Sequence, residues 1–354
     1  MNISIGLLAC NEAETLPQTL ESLFQQSLFQ AASAFPQIPE PHLEVIVVAN
    51  GCTDATVSVA QATLEVLALD DGLTTVHWYV HDVAQPGKSH AWNLYVHDYA
   101  ATEAEYLILM DADIQFVAPR TLERMIQTLE HHPEAWVSVD TPIKDIQLKP
   151  TKTFLEWLSL RASSTASSAK VAICGQLYCG RAAALRTIWM PPGLPVEDGF
   201  LRAMIVTNRF TEPERLSRIQ RTPEAAHQFE AYVTPQALIR HEIRLVVGST
   251  LNAFIYHYLW ENATPDCDAG TLICHNNHSN PQWLHHLIQA AVQERGWWLI
   301  PRAFWFRRFG VLRHYSWRNR CLRFPLVLVA FCVDWWVFWQ ANRELHRQGG
   351  LNYW

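Results

Sequence analysis

Two aspartates one residue apart, Asp111 and Asp113, close a strongly apolar run, Tyr106-Leu-Ile-Leu-Met110. Carboxylates at that spacing can converge on one hard divalent cation, and such a cation can also hold the oxygens of a diphosphate. A second acid pair, Glu197-Asp198, stands at an expected helix start, where the helix dipole favours the ionised form of a carboxylate. Polar groups that suit a nucleotide lie further upstream: Asn11 and Glu12, then Asn50 and Asp54, then Lys88. Taken singly, these are the ordinary caps and turns that Asn and Asp favour. Taken together, with an acid pair after an apolar strand, they describe a cleft for a nucleoside diphosphate. Base and ribose would meet the polar groups, Lys88 would lie near phosphate, and the carboxylates would take the metal.

The elements that must position these residues follow from hydrophobic period. Strands are expected at residues 3–10, 43–49, 76–80 and 106–110, alternating with helices at 14–27, 55–69 and 89–99. Repeated β-α-β units predict an α/β fold whose mostly parallel sheet has right-handed crossovers. In such sheets ligands bind outside the carboxyl ends of the strands, where the polar groups above fall. Residues 27–41 contain prolines and read as a surface loop; a helix at 121–131, a strand at 136–139 and a helix at 153–168 follow.

The order of these motifs resembles an inverting family 2 glycosyltransferase with the GT-A fold, over roughly residues 1–250. The resemblance implies that Asn11, Glu12, Asn50 and Asp54 hold the nucleoside, and that Asp111 and Asp113 hold Mg²⁺ or Mn²⁺ with the diphosphate. It further implies an acceptor segment at Cys174-Gly175-Gln176, with Asp198 the catalytic base and Glu197 beside it. The family usually has Asp where this chain has Asn50, although an amide can still bond a pyrimidine edge, as a uridine-linked donor would need. Processive members carry Gln-x-x-Arg-Trp. The corresponding stretch here, His241-Glu242-Ile243-Arg244-Leu245, lacks the Gln and Trp, which points to one sugar transferred per encounter. His241 could complete a metal shell or serve as a structural histidine. Arg244 could fork onto the leaving diphosphate.

Composition sets the remaining limits. Hydrophobic residues at 49% exclude disorder, and 354 residues allow one elaborated α/β domain or two domains. Expected divisions are a nucleotide-sugar half at 1–115, an acceptor and catalytic half at 116–296, and a tail at 297–354. Net charge is −7, yet the tail carries nine Arg and two acids and so holds +7 against −14 in the remainder. Seven of those Arg and four Trp lie in 297–324, followed by a mostly apolar run at 324–341. Arg with Trp suits an anionic membrane surface, and the apolar run that follows favours this over nucleic acid. At about 27 Å the run is marginal for a bilayer core of about 30 Å, and Asp334 within it adds a cost, so an in-plane or shallow anchor is expected over a full span or a buried core helix. Eight Cys without a Cys-x-x-Cys pair, and Met1 leading straight into an apolar strand, fit a reducing cytosol and the cytoplasmic face of a membrane. Cys267, Cys274, His275 and His278 match no common zinc spacing.

Three functions fit these features: transfer of a sugar to a lipid-borne or other glycan hydroxyl, transfer onto a polyprenyl phosphate, and a catalytically silent nucleotide-sugar-binding module. Glu197-Asp198 favours the first, because a hydroxyl acceptor needs a base and an ionised phosphate does not. A sugar-nucleotide pyrophosphorylase is disfavoured, since no Gly-rich phosphate loop with Arg follows the first strand.

Overall fold

Near-continuous apolar runs make central strands buried on both faces, and three of the first four strands are of this kind. The structure, a computed structural model, describes residues 1–30, 42–69, 76–153, 172–312 and 316–348, with Glu156 and Leu160. Its strands are β1 (Asn2–Ala9), β2 (His42–Asn50), β3 (Val76–Val83), β4 (Tyr106–Asp111), β5 (Gln115–Phe116), β6 (Val137–Lys144), β7 (Leu177–Arg181) and β8 (Ile219–Phe229). They form one sheet in the order β3-β2-β1-β4-β7-β6-β8-β5. The first four are parallel, β7 runs antiparallel to β4 and β6, β8 runs parallel to β6, and β5 closes the edge antiparallel to β8.

The mostly parallel α/β sheet matches expectation, while β5, β7 and β8 do not appear in the hydrophobic pattern. β7 is only Leu-Tyr-Cys-Gly-Arg, and β8 is polar, contains Pro223 and is interrupted by a shift of register opposite Val139 and Thr141. β6 runs on to Lys144, well beyond the short strand expected there. Of the helix expected at 153–168, only Thr153, Glu156 and Leu160 are among the described residues; most of the insertion expected as a loop also lies outside them.

Helices α1 (Leu16–Phe24), α2 (Thr56–Leu67) and α4 (Thr121–His131) cover one face of the sheet. The other face is covered by α3 (Lys88–Asn93), α5 (Glu197–Val206), α6 (Pro235–Asn262), α7 (Ala269–Ser279), α8 (Trp283–Arg295) and the long α9 (Trp317–Gln348). Strand alternation assigns side chains to these two cores. In β4, Tyr106, Ile108 and Met110 enter the core with α1, and Leu107 and Leu109 enter the other. The same period sends Asp111 to the face of α3, α5 and α6. The second core extends from Leu8 to Leu345, so the tail is not packed as a separate unit.

Candidate active site

Asp111 ends β4 beside Leu8 of β1, at the carboxyl edge of the parallel strands. Lys88, the first residue of α3, reaches it there: Nζ lies 2.6 Å from Asp111 Oδ1 and 3.0 Å from Glu197 Oε1, and donates to the Gly175 carbonyl at 3.2 Å. One ammonium thus joins the acid of the first motif to the acid of the second. Burial works against charge on Lys88, but the two carboxylates outweigh it and hold the ammonium above its ordinary pKa. For Asp111 burial is the larger influence and, with Asp113 adding its charge, carries the carboxyl up to about 6 despite Lys88. Burial and Glu12 raise Asp113, and burial, with Asp111 and Asp54, raises Glu12. The cleft is crowded with negative charge.

Glu197 and Asp198 are adjacent residues with different environments. Burial pushes Glu197 up, yet Lys88 and Arg244 overcome it and hold this carboxylate below its ordinary value. Asp198 lacks such a close cation. Burial and the charge of Glu197 carry it up to about 6, although its Oδ1 accepts from the Gly199 N–H at 2.6 Å. Gly175 permits this closeness: a Cβ there would lie 2.9 Å from Glu197 Oε1 and 3.3 Å from Asp198 Cβ.

The segment that presents these acids is gripped from two sides. On α3, Ser89 Oγ accepts from Leu194 N at 3.2 Å and Asn93 exchanges two bonds of 2.9 Å with the backbone of Met190. On α6, four residues at intervals of four share a face. Arg244 Nε donates to the Pro195 carbonyl at 2.8 Å, Asn252 Nδ2 to that of Val196 at 3.0 Å, and Tyr256 Oη to that of Gly199 at 2.8 Å. Between them Gly248 lets Val196 approach so closely that a Cβ would stand 2.4 Å from its Cγ2. Arg244 Nη2 is also 3.9 Å from Glu197 Oε2.

The expected nucleoside residues meet at the ends of β1 and β2, largely bracing one another. Asn11, in a left-handed conformation at φ 59°, accepts from Thr53 N at 2.7 Å. Asp54 accepts from Ala13 N at 3.2 Å and Thr56 N at 3.0 Å. Asn50 is fully buried and donates to the carbonyls of Gln85 and Gly87 at 3.2 and 2.9 Å, which leaves its Oδ1 without a partner.

Two histidines border the cleft. His241 on α6 lies against Tyr232, its rings 4.9 Å apart, with Nδ1 buried and unpartnered. Burial lowers its pKa, and its charged neighbours are Glu242, Arg244 and Lys144. His227 of β8 escaped sequence reasoning, because nothing in that polar stretch marks a strand. It is fully buried, with Nδ1 2.7 Å from Asp140 Oδ2 and Nε2 3.4 Å from Gln176 Oε1. A carboxylate on one ring nitrogen is how proteins orient a ligating histidine.

Among the described residues, no three His, Cys, Asp or Glu side chains are gathered closely enough to hold a metal ion, and this includes the segment with Cys274 and His278. Asp111 and Asp113 still fit a hard cation as two donors: both offer carboxylate oxygen, and both are raised by burial and neighbouring acids that a cation would offset.

A mixed sheet with an Asp-x-Asp at the end of its fourth strand, facing a second acid pair across the cleft, defines the α/β GT-A class of nucleotide-sugar transferase. Residues 4–184 match glycosyl transferase family 2, and the chain belongs to that family. No curated protein matches the sequence. Among solved structures, mannosyltransferase PcManGT from Pyrobaculum calidifontis, in complex with GDP-Man and Mn²⁺, is 18% identical with a TM-score of 0.54, over 98% of this chain and 87% of that one. TarS 1-349 from S. aureus, in complex with UDP, is 16% identical with a TM-score of 0.44, over 100% and 93%. Glucosyl-3-phosphoglycerate synthase from M. tuberculosis is 17% identical with a TM-score of 0.43, over 72% and 80%. At 18% identity the likeness to the mannosyltransferase is one of fold.

Proposed function

We propose that this family 2 glycosyltransferase is an inverting, non-processive enzyme that moves one sugar from a uridine-linked donor to a hydroxyl of a lipid-borne acceptor at the cytoplasmic face of a membrane. The observation that carries the reading is the division of labour between the adjacent acids. Glu197 is pinned as an anion by Lys88 and Arg244, while Asp198, up to about 6, is poised near neutral pH as a general base. Asp198 takes the acceptor proton as the new oxygen–carbon bond forms at the anomeric carbon. The bond to the diphosphate breaks on the opposite side, its electrons leave with the nucleoside diphosphate, and Arg244 answers the developing charge. Asp111 and Asp113 would hold Mg²⁺ or Mn²⁺, which when bound supplies Lewis-acid neutralisation of the leaving group. Of the two histidines, His227, braced by Asp140, is the one we take to support the cation, although among the described residues no third donor is gathered with Asp111 and Asp113; His241 lies beside Arg244. Asn50 Oδ1 offers an acceptor for a base N–H. The mannosyltransferase of similar fold, in complex with GDP-Man and Mn²⁺, supports a nucleotide-sugar donor and a divalent cation, while the uridine rests on Asn50 alone.

The test is thermal protection by a panel of nucleotide sugars with and without Mn²⁺, because a ligand of the folded state raises its melting point. Protection should require the cation, vanish in Asp113→Ala, and weaken more in His227→Ala than in His241→Ala. Undiminished donor affinity in EDTA would contradict the cation's role.

A further inference from the structure

Helix α9 is buried by its second half; in its first half Phe324 and Phe331 meet the rings of Phe309 and Phe306. Asp334 is 3% exposed and takes both guanidinium groups of Arg307 and Arg308 at 2.9–3.0 Å, and Arg307 continues to Glu242 of α6 at 2.8 Å. Past this clamp, Val337, Phe338, Ala341 and Leu345 are buried, and Asn342 bonds the backbone of Leu299 and Trp297 at 2.8 Å. The expected cost of Asp334 in an apolar run is thus met by two arginines within the protein. The rest of the first half is exposed, and only 17% of the helix's apolar window is buried. Leu322, Leu326, Val329, Val333 and Trp336 recur at helical spacing and are 45–79% exposed. Between this stripe and α6 runs an apolar groove of about 440 Å³ lined by Ile239, Leu328, Val329, Cys332, Val333 and Trp336. Ile239 precedes Arg244 by about 7.5 Å of helix rise.

Charge and length say what covers this face. With Asp334 fixed, residues 317–333 reach about 25 Å, short of a bilayer core of about 30 Å. Arg318, Arg320 and Arg323 near the outer end would also have to enter hydrocarbon. A helix lying in the plane leaves those arginines at lipid phosphates and the stripe in the acyl boundary. The groove then opens to lipid, and its one residue from α6, Ile239, lies five residues before Arg244 on the same helix.

We propose that the groove takes the alkyl chain of the acceptor lipid and leads its headgroup toward Asp198, an inference that rests on transfer to a lipid-borne hydroxyl. The experiment uses the full chain and vesicles containing phosphatidylglycerol with a diazirine in its acyl chain. After illumination, crosslinks should map to the groove residues. Val333→Trp, or Cys332→Phe from the next position, fills the groove without removing the stripe. Either should still sediment with vesicles yet lose those crosslinks, whereas Leu326→Asp should release the protein from vesicles. Crosslinks confined to the stripe residues outside the groove, Leu322 and Leu326, and unchanged by the filling variants would overturn the groove. Absent vesicle binding with a dimer in sedimentation would overturn it too, and assign the face to a second copy. Donor protection of the same variants reports separately on their fold and on the transfer reading.

Discussion

Glu197 and Asp198 differ by one methylene and one position, and the structure gives them opposite electrostatic settings. Lys88 and Arg244 both act on Glu197, so its charge is fixed; that fixed charge, together with burial, is what lifts Asp198. The sign of the consequence is definite. A base works in its ionised form, so turnover should rise with pH through about 6, and a pH–rate profile of kcat/KM checks it. A profile flat from pH 5 to 8 would remove Asp198 from that role. Lys88 is the more exacting structural test, since it serves Asp111 and Glu197 at once from a side chain 12% exposed. Lys88→Met leaves two buried carboxylates without their shared cation and should cost about 3 to 5 kcal/mol in urea unfolding. The acids themselves were legible in the sequence, because Asp-x-Asp and Glu-Asp announce their chemistry by type and spacing. The ammonium between them was not, because no local pattern records a contact between residues so distant in the chain. Lys88 was expected near phosphate and is found on the carboxylates.

At the scale of elements, α6 positions the segment that carries Glu197 and Asp198. Arg244, Gly248, Asn252 and Tyr256 form a ridge along one face of this helix, and each meets the backbone or side chains between Pro195 and Gly199. Gly248→Ala separates propensity from packing. Alanine in a helix interior should by itself stabilise by about 0.8 to 1 kcal/mol. Here its Cβ would press within 2.8 Å of Val196 Cβ as well as on Cγ2. The variant should therefore be less stable than the wild type and slower, with donor protection retained; a gain in stability at full turnover would show that the segment is free to yield. The parallel strands β1, β2 and β4 were readable from their apolar runs. The ridge was hidden, because an arginine, a glycine, an asparagine and a tyrosine make no hydrophobic period, and the polar strand β8 hid His227 for the same reason.

In the whole molecule, the basic segment reads from sequence as a membrane-associating tail, and its last helix returns into the core that lies behind the candidate site. Val337 and Phe338 are buried with residues of α5 and α6, and Arg307 ties Asp334 to Glu242, two residues before Arg244. Composition reveals the arginines and tryptophans but not this return, because docking is decided by which few residues of an apolar helix find partners. The family, the sheet and the two acid motifs were accessible from residue order; the proposed acceptor surface rests on α9 and on the geometry of the cleft. The central claim is that this assembled cleft transfers a sugar with Asp198 as its base. Asp198→Asn keeps the shape and removes the basicity. It should also hold its fold: the carboxyl's pKa is raised in the folded state, so the wild type loses stability as pH rises toward about 6, and the amide does not. Release of nucleoside diphosphate, measured with a donor that protects both proteins equally, should fall by roughly 10² to 10⁴ in Asp198→Asn. Near-wild-type release would contradict the account and leave the acceptor already ionised or the base elsewhere.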